Sequence, residues 1–166
     1  MFRRLRETGP VALVPAAWAV VAATQIGAVT DRTLFIAHVV MSVLLAGFAV
    51  TGYADMREGL LLVWWRVITV GVVPAVAGTI GFATDADPLL AVALYGWMLL
   101  PAVGLFYTGQ QVPEGKPVYQ VGAALCVVGA GAYAAAPFVT DAFALAGLLA
   151  VGIGQTAGIA DTAYRF

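Results

Sequence analysis

Residues 60–83, LLLVWWRVITVGVVPAVAGTIGFA, decide the fold: the run carries a single charged side chain, Arg66. A helix that crosses a bilayer needs about 20 consecutive, mostly apolar residues, and this run supplies more. Working outward, comparable runs occupy 10–29, 33–53, 88–107, 118–136 and 142–160. Charge and turn formers separate them: Asp31 and Arg32, then Asp55, Arg57 and Glu58, then Asp85 and Asp87, then the stretch from Thr108 to Pro117, then Pro137 to Asp141. Connections this short force neighbouring helices to run antiparallel. The expectation is an all-α, polytopic membrane protein, a six-transmembrane-helix bundle forming one domain over 1–166.

Composition agrees. The 166 residues are 62% hydrophobic and 10% charged, with mean hydropathy +0.95, whereas soluble domains are about half apolar and about a quarter charged. Too few polar side chains remain to cover a water-soluble globule, and a disordered chain would be far less apolar. Arg3, Arg4 and Arg6 precede the first run as they would in a signal peptide. That run is too long for a signal h-region, and five more follow, so it reads as a retained first helix.

Cytoplasmic loops are enriched in Lys and Arg. Placing the N-terminus inside puts Arg3, Arg4, Arg6, Arg57, Arg66, Lys116 and Arg165 on the cytoplasmic side and leaves Arg32 outside. Both termini are therefore expected in the cytoplasm of a cell-membrane protein. Asp31, Asp85, Asp87 and Asp141 make the outer face acidic.

The polar repertoire excludes several chemistries. Net charge is −1, which offers nucleic acid no basic surface. Cys126 is the only cysteine, so neither a CxxC pair nor an internal disulfide can form. Asn is absent, and with it any N-glycosylation acceptor. The only His and only Ser, His38 and Ser42, lie four apart on one helix, whereas a nucleophile and its base usually converge from different elements. Met41 and His38 cannot bind opposite faces of one haem iron from the same helix. The one lysine, Lys116, sits in a polar loop, so no intramembrane Schiff base has a residue to form on. No cofactor, metal or enzymatic activity is expected.

Polar residues inside apolar spans remain as candidate sites. Ionisable groups at mid-membrane cost about 2.5–3.5 kcal/mol on insertion scales. An outer cluster of Gln25, His38 and Ser42 would form a small vestibule if the first two helices packed together; the plainer reading is a neutral histidine bonded to a carbonyl. An inner cluster of Arg66, Gln155 and Asp161 would close a gate or hold an anionic group; the plainer reading is that Arg66, beside Trp64 and Trp65, snorkels to headgroups. Pro74 and Pro101 would kink the third and fourth helices and open a cavity, although proline is common in membrane helices. Gly154 and Gly158 form a GxxxG step that brings helix axes close, either within the chain or at a homodimer seam. Two inverted three-helix repeats suit the topology, but Pro15 and Pro101 lie at different depths and Pro74 has no counterpart in the last helix.

The functional expectation is a non-catalytic membrane protein, a subunit or packing partner of a larger assembly in the lipid bilayer. The alternative is a small permease or channel for a neutral or weakly polar solute, working as a homodimer. A membrane enzyme acting on lipid or quinone is the weakest, since no carboxylate pair or nucleophile-base pair can be assembled.

Overall fold

The computed structural model describes the backbone of residues 2–165 and the side chains of residues 12–164; Arg3, Arg4, Arg6 and Arg165 thus have side chains outside the described residues. The chain is 89% helix, with no strand among the described residues. Its helices are α1 (Phe2–Gln25), α2 (Asp31–Gly52), α3 (Gly59–Thr84), α4 (Asp87–Gln111), α5 (Lys116–Ala135) and α6 (Ala142–Arg165), with short 3-10 turns at Pro113–Gly115 and Ala136–Phe138. Helices α2 to α6 are long and apolar enough to cross a membrane, and the described side chains of α1 add the apolar stretch Ala12–Gln25. This is a helical membrane bundle, as the sequence implied.

The first helix lies earlier in the chain than the run 10–29 indicated. It begins at Phe2 and stops at Gln25 because Gly27 adopts φ 73°, a left-handed conformation that costs glycine nothing. The turn is closed by the Ala28 N–H on the Ala23 carbonyl (2.8 Å) and the Gly27 N–H on the Thr24 carbonyl (2.9 Å), which satisfies carbonyls that would otherwise be orphaned at the helix end. At the end of α3, Asp85 does the same work at φ 52°, with the Ala86 N–H returning to the Gly81 carbonyl at 3.0 Å.

Helices pack in the order α2, α3, α4, α5, α6, α1. Although consecutive in sequence, α1 and α2 barely touch, and α1 lies instead on α6. The counterpart pair α4 and α5 packs closely, so the two halves are not related as inverted repeats would be. The core joins Trp18 of α1 to Met98, Ala102 and Leu105 of α4, Tyr119, Ala123 and Cys126 of α5, and Leu148 and Val151 of α6. From α2 only Leu34 is buried.

Glycine sets the closest approach, between α5 and α6. A Cβ on Gly122 would stand 2.6 Å from the Gly154 carbonyl oxygen, and a Cβ on Gly154 would stand 2.6 Å from that of Gly122. One step along, a Cβ on Gly129 would meet the Gly147 carbonyl at 2.5 Å, and Gly147 faces the Gly129 carbonyl reciprocally. Two glycine pairs, spaced seven residues apart on each antiparallel helix, therefore let the backbones touch. Gly158 faces Leu105 and Tyr119, while Gly152 faces Trp18 across the α1 interface. Gly154 and Gly158 are both buried within the chain, packed on Gly122 of α5 and Leu105 of α4.

Candidate functional site

Lipid offers no hydrogen bonds, so every polar group inside the bundle must find a partner in the protein. The threonines answer this first. Thr24, Thr51, Thr69, Thr79, Thr84, Thr108 and Thr162 each donate their hydroxyl proton to the carbonyl four residues earlier, at 2.7–3.1 Å. A hydroxyl has one proton but two lone pairs, so each such oxygen can still accept from a neighbouring helix. Three of them do. Trp64 Nε1 of α3 donates to Thr108 Oγ1 of α4 at 3.1 Å. Ser42 of α2 meets Thr79 Oγ1 of α3 at 3.2 Å, and Tyr119 Oη of α5 meets Thr162 Oγ1 of α6 at 3.1 Å. Because both threonine protons are already committed, Ser42 and Tyr119 are the donors.

Gln155 is buried, 4% exposed. Its Oε1 accepts from Trp18 Nε1 of α1 at 2.9 Å, and its Nε2 donates to the Trp97 carbonyl of α4 at 2.8 Å. One amide thus ties three helices. The Trp97 indole lies over Gly71 of α3, where an added Cβ would stand 2.8 Å from the ring. Its Nε1 is buried with no hydrogen-bond partner, as is Thr156 Oγ1.

The residues singled out as an outer cluster are divided between two places. His38 and Ser42 face α3. The His38 Nδ1–H donates to the Leu34 carbonyl at 2.9 Å, since a carbonyl can only accept, and in the neutral ring this leaves Nε2 as the acceptor. The ring packs on the bare backbone of Gly78 and tilts against Phe82 at 5.3 Å. Gln25 instead accepts from Tyr133 Oη of α5 at 3.3 Å. The physical reason is that α1 follows α6 through Trp18 and Gly152, which carries Gln25 toward α5 and away from α2.

The inner cluster is likewise dispersed. Arg66 is exposed on α3, Gln155 is buried mid-helix, and Asp161 lies further along α6, where its Oδ2 would stand 2.7 Å from a Cβ added to Gly115. Gly115 is therefore glycine because a carboxylate and the Tyr119 ring occupy its flank. The mid-depth prolines are packed. Pro74 is buried against Gly96, where an added Cβ would meet its ring at 2.7 Å, and Pro101 is buried on α4. Between α3 and α4, Pro74 packs on the bare backbone of Gly96 and the Trp97 ring on that of Gly71.

A cleft of about 430 Å³ does lie at the end where α3 meets α4, lined by Asp31, Arg32, Phe35, Phe82, Asp85, Asp87 and Leu90. Asp31 and Asp87 are the first residues of α2 and α4, where the helix dipole favours a carboxylate. Among the described residues, no group of three or more His, Cys, Asp or Glu could hold a metal ion.

Sequence reasoning missed Trp18, Thr108, Tyr119 and Thr162, and it reads Trp64 as an interfacial neighbour of Arg66, whereas its indole N–H is held by Thr108 of α4. The signal available was the excess of threonine over serine within apolar runs; the partners required the packing order. No family model matches the chain, and no curated protein or solved structure matches it.

Proposed function

We propose that this chain is a non-catalytic membrane subunit, a packing partner within a larger assembly. One observation carries the reading: α2 is left almost uncovered, while the polar groups of the interior, Trp97 Nε1 and Thr156 Oγ1 excepted, are engaged with one another. Of the five long helices α2 is the most apolar, hydropathy 2.2, and the least buried, 6%. Its polar residues His38 and Ser42 face α3, and it turns Ile36, Val40, Val43, Leu44 and Phe48 outward.

The same reading places the protein in the cell membrane with both ends cytoplasmic. Arg57, Arg66 and Lys116 belong to one end of the bundle, and Arg32 is the single basic residue with Asp31, Asp85, Asp87 and Asp141 at the other. The Lys- and Arg-rich end is the cytoplasmic one by the positive-inside rule.

A photo-crosslinking residue at Val43 or Phe48, activated in native membranes, is expected to give a discrete adduct with one other membrane protein. The purified chain in liposomes is expected to pass no solute. Lipid adducts alone, together with saturable solute flux through the purified protein, would overturn the reading.

The cleft favours a second reading, a small permease or channel for a neutral or weakly polar solute, acting as a homodimer. Phe82 is shared between the cleft and the His38 ring, which puts an acceptor nitrogen behind the cleft wall. Flux that disappears in His38→Ala with the fold intact would select this reading.

A further inference from the structure

Arg66 is out of keeping with its surroundings. It sits seven residues after Gly59, the first residue of α3, and so about 10 Å along the helix at 1.5 Å per residue. The residues one and two turns on along the same stripe, Val70 and Val73, are 52% and 64% exposed, which makes this the lipid-facing side of α3. Arg66 is itself exposed. Among the described residues no ion pair holds it, and Asp161, its expected partner, lies against Gly115 instead. A guanidinium on a lipid-facing stripe must reach either water or an anion at the headgroup level.

A second arginine is positioned at the same end of the α2–α3 pair. Arg57 lies 4.8 Å above the Tyr53 ring, Tyr53 lies 5.1 Å from the Trp65 ring, and Trp65 Nε1 donates to the Ala49 carbonyl at 2.8 Å. This chain of contacts seats Arg57 against the aromatic pair, and no ion pair engages it among the described residues. Tyr and Trp are the side chains that settle at the headgroup boundary, so the aromatic pair marks the depth at which a lipid phosphate lies. Two planar guanidiniums, each with a fork of donors, match phosphate oxygens in a way that ammonium groups do not.

We propose that the α2–α3 end binds the phosphate headgroup of an anionic phospholipid through Arg57 and Arg66, with Tyr53 and Trp65 as its aromatic wall. Zwitterionic lipid is bound less well, because its own ammonium competes for the phosphate.

The test uses the full chain reconstituted in vesicles of phosphatidylcholine mixed with phosphatidylglycerol, the latter brominated on its acyl chains. Quenching of tryptophan fluorescence then reports occupancy beside Trp65, with Trp65→Phe giving the background from the other tryptophans. Phosphatidylglycerol is expected to be enriched over phosphatidylcholine, and the enrichment to fall about fivefold for each arginine neutralised in R57Q and R66Q. R66K keeps the charge and retains part of the preference, and R32Q, at the opposite end, leaves it unchanged. Equal binding of the two lipids by the unaltered chain, or a preference that survives R57Q/R66Q, overturns the site. In the first case the arginines reach water or the carboxylate of a partner protein.

Discussion

Gly129→Val is expected to abolish folding of the bundle in detergent, or to lower its stability by at least about 3 kcal/mol, at the upper end of what overpacking costs. The new Cβ would stand 2.5 Å from the Gly147 carbonyl oxygen, 2.7 Å from Val151 Cγ2 and 3.2 Å from the Val151 amide nitrogen. Two of these three atoms belong to a helix backbone and cannot rotate aside, so α5 and α6 must separate along their length. That separation would also open the Gly122–Gly154 contact. Gly131→Ala on the same helix is the control, because an added Cβ there meets nothing within 4 Å; its effect is expected to be neutral or slightly stabilising, through helix propensity. Reversible unfolding followed by circular dichroism measures both. Gly129→Ala and Gly147→Ala act on one contact and should combine non-additively, and Gly122→Ala with Gly129→Ala should also cost less than the sum of the singles, since separating the two helices at one glycine pair opens the other.

Gln155→Ala is expected to cost about 2 kcal/mol and to loosen α1 from the remaining helices. The substitution leaves Trp18 Nε1 buried without its acceptor and the Trp97 carbonyl without its donor. An unsatisfied buried group costs about 1–3 kcal/mol, and two are left here; measured hydrogen-bond couplings in membrane proteins are smaller, about 0.6 kcal/mol on average and about 1.7 at most. Trp18→Phe removes the opposite partner. The double variant Trp18→Phe/Gln155→Met is expected to be less destabilised than the sum of its singles, because removing both partners leaves neither stranded. Intrinsic tryptophan fluorescence during unfolding provides the readout, and strict additivity would mean that this bond does not hold α1.

The elements were legible in the sequence because lipid leaves a spanning chain little choice. A run such as 60–83 must be helical throughout to satisfy its own backbone, and charges such as those at Asp31 and Asp85 belong at the ends. The side-chain arrangement was much less legible. In water a helix shows its buried face by polarity, but α2 is apolar on the face toward lipid and nearly as apolar on the face toward α3. Sequence neighbours are also poor guides to spatial neighbours here: the short link from α1 into α2 predicts Gln25 beside His38, yet the partner of α1 is α6. Trp18 and Gln155, 137 positions apart, meet only because of that exchange. Gly154 and Gly158 announced a close helix contact, but a small-residue step does not name its partner, and Gly122 and Gly129 acquire their meaning only in the antiparallel register.

The alternation of helix ends across a bilayer underlies all of these assignments. Single cysteines introduced one at a time into a Cys126→Ala chain, at Ala28, Ala86 and Thr140 on the one hand and at Ala54 and Glu114 on the other, can be labelled in intact cells with an impermeant maleimide. The first three positions are expected to react from outside, and the last two only after the membrane is opened. Reaction of all five from the same side, or a mixture within either set, would contradict the six-helix crossing.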